Sequence, residues 1–179
     1  VKDLIAQARS APGKIAYSTP GNGTINQLAV EWLAIEAKLK FLHVPYRGGA
    51  PAAVAVAAGD VPIGALTPSS ARPLLDAGKV KVLALLNKER AAQLPDIPTA
   101  IEAKHPAFAI DGLLGLFGNR NLPSALRDRI SADVVEAAKD PEIAKRLAAT
   151  GQVVRPGDAK EFAAEIQDQR ARIAEAAKN

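Results

Sequence analysis

Short apolar runs and helix-spaced apolar positions take turns along the first two-thirds of the chain. Lys2 to Ala8 has a helical pattern. Lys14-Ile-Ala-Tyr-Ser18 reads as a short strand, and Thr19-Pro-Gly-Asn-Gly23 as the turn that follows it. From Thr24 to Lys38 the apolar residues Ile25, Leu28, Ala29, Trp32, Leu33 and Ile35 recur mostly at helical spacing. Phe41-Leu-His-Val44 predicts a second strand and Pro45-Tyr-Arg-Gly-Gly49 a turn. Ala50 to Ala58 predicts a helix of small residues, with Pro51 in its first turn and Gly59-Asp60 as its stop. Val61 to Leu66 predicts a third strand, made irregular or edge-like by Pro62. Thr67 or Ser69 caps a helix through Asp76 that Gly78 ends, and Lys79 to Leu86 predicts a fourth strand. This rhythm, with short connections, predicts an α/β chain: a mainly parallel sheet with helices on both faces.

The pattern then changes. Glu89 to Pro106 is proline-rich, with Leu94-Pro-Asp-Ile-Pro-Thr99 as a fixed loop opening a short helix. Phe108 to Phe117 is an apolar strand candidate, bent at Asp111-Gly112. Beyond Leu122 helical patterns dominate. Pro123 and Ser124 open one reaching about Ala138, and Asp140-Pro141-Glu142 opens another ending at Thr150-Gly151. Gln152-Val-Val-Arg155 is a short strand candidate. Asp158 starts a last helix with Phe162, Ile166 and Ile173 on one stripe. This shift in composition places a boundary between two parts near residues 107 to 121.

Composition narrows the chemistry more than the fold. With 48% apolar and 23% charged residues the chain has the makeup of a globular protein, not of a disordered one. It contains no run of 18 apolar residues. Cysteine is absent, which removes disulfides, thiolate nucleophiles and zinc–thiolate sites. His43 and His105 are the only histidines, so a multi-histidine metal centre is excluded. The net charge of +4 comes from 23 basic and 19 acidic residues that are interspersed, as on solvated helix faces. It fits an anionic small molecule as well as nucleic acid. No charged n-region followed by an apolar stretch precedes Lys2, so no signal peptide is visible in the sequence given.

Two glycine-bearing turns carry candidate chemistry. Ser18-Thr-Pro-Gly-Asn-Gly-Thr24 links a predicted strand to a predicted helix. Gly21 and Gly23 let the backbone approach a ligand. The helix start offers unsatisfied N–H groups and a partial positive charge to a carboxylate or phosphate. Ser18, Thr19 and Thr24 add hydroxyls. The dinucleotide fingerprint fails, because Asn26 stands where its third glycine belongs, and no Walker A pattern occurs. A tight strand–helix turn capped by threonine explains the segment equally well. Tyr46-Arg47-Gly48-Gly49 repeats the device before the next helix, with Arg47 able to pair a carboxylate in bidentate fashion. Its plain alternative is a solvated loop. Thr67-Pro-Ser-Ser70 follows the third strand and offers further hydroxyls. Ligands of open α/β sheets bind beyond the carboxyl ends of strands, where all three turns belong. No Gly-x-Ser-x-Gly elbow exists, and Ser18 has no histidine near it in sequence. His43 reads as a packed residue inside a strand and His105 as a surface one. The carboxylates have no metal-ligand spacing, and nothing calls for a cofactor.

Four segments occur together in order: Tyr17-Ser-Thr-Pro-Gly-Asn-Gly-Thr24, His43-Val-Pro-Tyr-Arg-Gly-Gly-Ala-Pro51, Ala77-Gly-Lys-Val-Lys-Val-Leu-Ala84 and Leu94-Pro-Asp-Ile-Pro-Thr99. In this series the chain resembles the Bug (TctC-type) family of extracytoplasmic solute receptors of tripartite tricarboxylate transporters. Gly112 to Phe117, Leu122-Pro123 and Asp140-Pro141 through Gly151 extend the resemblance over essentially the whole chain. It implies a two-lobed, type II periplasmic-binding-protein fold that closes on its ligand. Residues 1–109 would be the second α/β lobe with the ligand-binding loops. Residues 110–179 would be the mostly helical C-terminal return into the first lobe. The N-terminal part of the first lobe, with its glycine-rich loop, is expected to be missing, so Val1 reads as the start of a truncated chain. The resemblance implies a cleft lined by Ser18, Gly21, Gly23, Thr24 and the loop of Tyr46, Arg47, Gly48 and Gly49; Thr19 and Thr67 join the expected ligand contacts on the reading of their hydroxyls. The sequence departs from the family's usual pattern at Asn26, at Val61-Pro-Ile-Gly64 and at Asp111.

The reading that follows is a non-enzymatic periplasmic receptor that captures a small organic carboxylate and presents it to membrane permease subunits. The competing class is an α/β enzyme acting on a small carboxylate. It is disfavoured by the missing nucleophile elbow, dinucleotide fingerprint and histidine cluster. A nucleic-acid-binding module rests on the isoelectric point of about 9.4 alone, and no nucleic acid is expected as a partner. Apolar surface left uncovered by a missing segment predicts self-association of the chain.

Overall fold

The computed structural model describes residues 1–91, 94–105, 109, 112–149 and 154–176. The chain divides into two compact units, Val1–Asp111 and Gly112–Asn179. In the first unit, helix α1 spans Lys2–Ser10, strand β1 Ala16–Thr19, helix α2 Ile25–Glu36 and strand β2 Leu42–Pro45. Helix α3 then spans Gly49–Ala58, strand β3 Ile63–Gly64 and helix α4 Pro68–Asp76. β1 pairs in parallel with β2 on one side and with β3 on the other, giving the order β2-β1-β3. Tyr17 faces His43 in one ladder and Ile63 in the other.

Alternation along β1 sends Tyr17 and Ser18 to opposite faces of the sheet, and each meets a helix there. The Tyr17 hydroxyl donates to Glu31 Oε1 of α2 at 2.5 Å. The Ser18 hydroxyl donates to the Ala52 carbonyl of α3 at 3.0 Å. Helices therefore cover both faces, as the alternating pattern predicts. Tyr17, Ser18 and Thr19 are fully buried, the condition of a central strand in a parallel sheet. Ala52, Ala53 and Ala55 are the buried residues of α3, and their small side chains permit close approach to β1. A second apolar cluster joins Ile5 and Ala8 of α1 to Leu39, with Ile15, Leu33 and Phe41 packed around it. Burying these side chains contributes about 25 cal/mol per Å² of apolar surface.

Three predicted strands are corrected. Lys79 to Leu86 forms no strand; Leu85 alone makes a parallel bridge to Thr99, donating to Pro98 O and accepting from Ala100 N. The opposing segment carries Pro95 and Pro98, which have no N–H to extend a ladder. Val61 to Leu66 shortens to β3, with Pro62 removing a donor just before it. In the Phe108–Phe117 candidate, the described residues 112–117 have no strand, and Leu114, Leu116 and Phe117 are largely exposed. Residues 106–108, 110 and 111 lie outside the described set. So do Gln152 and Val153 of the last candidate strand, whose described residues Val154 and Arg155 are irregular. The helix predicted to Lys38 ends at Glu36.

The second unit holds helices α5 (Ser124–Ala138), α6 (Pro141–Ala149) and α7 (Ala159–Ala176). Acidic caps start two of them, as the sequence predicts. Asp140 Oδ1 accepts from the N–H groups of Glu142 and Ile143 at the head of α6. Asp158 Oδ1 accepts from Lys160 and Glu161 N–H while the Glu161 carboxylate accepts from Asp158 N–H, a reciprocal capping box. Ala159 N–H donates to Ser131 Oγ, tying α7 to α5. None of this unit's described residues is buried.

Gly64 packs where a side chain has no room. A Cβ there would meet Ser18 Oγ at 2.7 Å and Val56 Cγ2 at 2.9 Å. The expected cost of Gly64→Ala is about 1–3 kcal/mol, read as a lower midpoint in denaturant titration. An unchanged midpoint would contradict this packing of β3 against β1 and α3.

Candidate functional site

Because the three strands run parallel, the turns leaving their carboxyl ends lie along one edge of the sheet. The first turn joins β1 to α2, the second joins β2 to α3, and the third leads from β3 into α4. Backbone hydrogen bonds clip the first two together: Tyr46 N–H donates to Thr19 O and Gly48 N–H to Pro20 O, both at 3.0 Å. Gly49 sets the second against the third. A Cβ on Gly49 would overlap the Ser70 side chain and touch Pro20 at 4.0 Å, so only glycine lets these segments close up. Gly48, the cap of α3, has φ +114°, a conformation that L side chains rarely adopt. Three helix starts thus share one edge, each carrying N–H groups without intrahelical acceptors.

Side chains hold the first turn in shape. Thr24 caps α2, its hydroxyl accepting from Gln27 N–H at 3.4 Å and donating to Gly21 O at 2.9 Å. Gln27 Oε1 reaches back to accept from Gly23 N–H at 2.8 Å. Thr24-x-x-Gln27 is the spacing of a capping box, a signal present in the sequence that the glycines drew attention away from. Thr19 Oγ1 accepts from Gly21 N–H at 3.2 Å and lies 2.7 Å from His43 Nε2. Below it the His43 ring stacks on Tyr17 with centroids 4.9 Å apart. In the third turn, Thr67 Oγ1 lies 3.1 Å from Ser69 Oγ and 2.9 Å from Ser70 Oγ.

The ten sequence-predicted positions therefore differ in what they can present. Ser18 and Thr19 are fully buried, with hydroxyls engaged by the protein. The N–H groups of Gly21, Gly23, Tyr46 and Gly48 hold the turns to one another or to themselves. Thr24 commits its hydroxyl but not its N–H. Arg47 and Thr67 are exposed, and Gly49 heads α3. Arg47 has no ion-pair partner among the described residues. The N–H groups of Asn22, Thr24, Ile25, Asn26, Arg47, Gly49 and Ala50 likewise have no protein acceptor among them. Asn22, Ile25 and Ala50 carry no signal in the sequence, and Asn26 stands out there only as a departure from two motif patterns, because a backbone donor leaves no mark on residue type. Among the described residues no cluster of three His, Asp or Glu side chains is suited to a metal ion.

All 179 residues match the family described as "Tripartite tricarboxylate transporter family receptor", TctC. The chain belongs to that family. It is 32% identical over 167 residues to the "UPF0065 protein in tcbD-tcbE intergenic region" of Pseudomonas sp. (strain P51), covering 93% of this chain and 49% of that relative. A solved "periplasmic transporter" superposes with a TM-score of 0.90 at 27% identity, over 99% of this chain and 59% of that one. MatC from Rhodopseudomonas palustris, solved with bound malate, superposes at 0.80 and 25% identity, over 97% and 61%. The TctC chain thus has the α/β periplasmic-binding-protein fold, and spans about half the length of the curated relative.

Two ionisable groups under the turns have displaced pKa values. Burial pushes the Tyr17 phenol well above its ordinary value, and its hydrogen bond to Glu31 and that carboxylate's charge add to the effect. Burial holds the His43 imidazole below its ordinary value, with Glu31 opposing. The folded chain keeps the Tyr17 proton to higher pH than the unfolded chain does. The stability this proton confers is therefore complete below about pH 10 and lost as pH rises beyond it. Denaturant midpoints at pH 8 and pH 11 should fall further apart for the wild type than for Tyr17→Phe. Equal separations would contradict the buried Tyr17–Glu31 bond.

Proposed function

We propose that this chain carries the ligand-binding turns of a periplasmic receptor that captures a small organic carboxylate and delivers it to membrane permease subunits of a tripartite tricarboxylate transporter. One observation carries the reading: three helix starts with N–H groups uncommitted among the described residues converge on one sheet edge beside Arg47, which has no ion-pair partner among those residues. A carboxylate answers both features, taking N–H donors on its oxygens and a guanidinium in fork geometry. The family description and the malate bound in MatC support this class of ligand. Within the proposal, residues 1–109 act as the second lobe and residues 110–179 as the return into the first.

Binding without chemistry is supported by the hydroxyls. Ser18 is buried and donates to a backbone carbonyl, and Ser69 and Ser70 of the third turn contact the Thr67 hydroxyl, not a base. Ligand contacts fall to Asn22 and Thr24 to Asn26 on the first turn and to Arg47, Gly49 and Ala50 on the second, with Thr67 beside them. Gly21, Gly23, Tyr46 and Gly48 shape the turns. Leu114, Leu116 and Phe117, with exposures of 80%, 74% and 80%, support self-association of the chain.

A ligand at 100 times its dissociation constant adds about 2.7 kcal/mol of stability. For this chain length that is a rise of roughly 5–10 °C in Tm. A thermal-shift panel of malate, succinate, adipate and citrate is expected to show such a rise for a subset of acids. Arg47→Ala should weaken the tightest of them about tenfold or more, by loss of a charge-assisted pair. Thr24→Val should weaken it several-fold through the loosened turn. Calorimetric titration of folded variants with unchanged affinity in both would move the site elsewhere.

A further inference from the structure

Thr19 has one hydroxyl proton and three polar neighbours. Gly21 N–H lies 3.2 Å from Oγ1, Gly21 O 3.1 Å and His43 Nε2 2.7 Å. A threonine hydroxyl donates once and accepts twice. One arrangement makes all three contacts hydrogen bonds. His43 Nε2–H and Gly21 N–H both donate to Oγ1, and the hydroxyl donates to Gly21 O. The other neutral tautomer, with its proton on Nδ1, takes the hydroxyl proton for itself and leaves the contact to Gly21 O unbonded. In the first arrangement both peptide groups flanking Gly21 are held by one side chain, which is itself held by a ring on the neighbouring strand.

That ring is well fixed. His43 sits opposite Tyr17 in the β1–β2 ladder and stacks on it at an interplanar angle of 29°. The titratable groups facing it are the Tyr17 phenol from β1 and the Glu31 carboxylate from α2. Protonation of the imidazole adds a proton at Nδ1 and leaves Nε2–H in place, so the chain of bonds survives in both charge states.

We propose that His43 is a positioning residue of the carboxylate site, which through Thr19 fixes the Gly21 peptide groups and so the direction of the N–H donors at Thr24, Ile25 and Asn26. The proposal rests on the receptor reading and names how that site is held ready. Its structural half needs no ligand to test. Long-range ¹H–¹⁵N correlation of the two imidazoles in the labelled chain, with His105→Gln to assign them, is expected to show His43 protonated at Nε2 near pH 8. Gly21 N–H is expected to exchange slowly. The Nδ1–H tautomer at His43, or a Gly21 amide in free exchange, overturns the arrangement. The functional half uses the tightest binder among malate, succinate, adipate and citrate. His43→Phe keeps the stacked ring and loses Nε2, while Thr19→Val keeps the shape and loses the hydroxyl. Each should weaken binding about five- to tenfold. The double variant should be no weaker than the worse single one, because both break the same chain. Fully additive losses overturn the relay. A wild-type chain that binds none of the four acids overturns the receptor reading, while the tautomer and the Gly21 exchange still decide the brace.

Discussion

Parallel pairing of β1 with both β2 and β3 is the constraint on which the rest of this fold depends. It forces every strand to end on the same edge and every following helix to begin there. The helices then lie on the faces, α2 against Tyr17 and α3 against Ser18, and their N-termini have nowhere else to point than past the strand ends. No side chain specific to a ligand is needed to reach this point. The buried central strand, with Tyr17, Ser18 and Thr19 at zero exposure, is what makes the geometry rigid.

The edge then divides its backbone donors into two groups. Gly21, Gly23, Tyr46 and Gly48 give theirs to Thr19, Gln27, Thr19 O and Pro20 O, which fixes the turns. The N–H groups of Ile25, Asn26, Gly49 and Ala50 at the helix starts have no acceptor among the described residues. A receptor benefits from this division, because donors already in place lose little entropy when a ligand arrives. Unsatisfied N–H groups at an edge open to water cost less than buried ones, so the arrangement is compatible with stability. Arg47 adds a charge, and its exposed guanidinium pairs with no carboxylate among the described residues.

Much of this was legible in the residues. Thr24 as a cap, Gly59 as a stop, the proline-headed α4 and the acidic caps at Asp140 and Asp158 are local chemistry, and local chemistry is written in sequence. The resemblance carried by Tyr17–Thr24 and His43–Pro51 pointed to the family the chain belongs to. Strand extent was not legible, because a strand exists only where a partner offers a ladder. Lys79 to Leu86 alternates as a strand should, yet faces Pro95 and Pro98. The division of donors was hidden for a different reason. Whether Gly23 N–H is open or held depends on a glutamine four residues away folding back over it, and nothing in the glycine itself records that.

Amide chemical-shift mapping during titration with a small dicarboxylate tests the central claim most directly. The account predicts saturable shifts confined to Asn22–Asn26, Arg47–Ala50 and Thr67–Ser70, with the N–H groups at the three helix starts moving most. Shifts centred on α5 to α7, or on no contiguous surface at all, would contradict it.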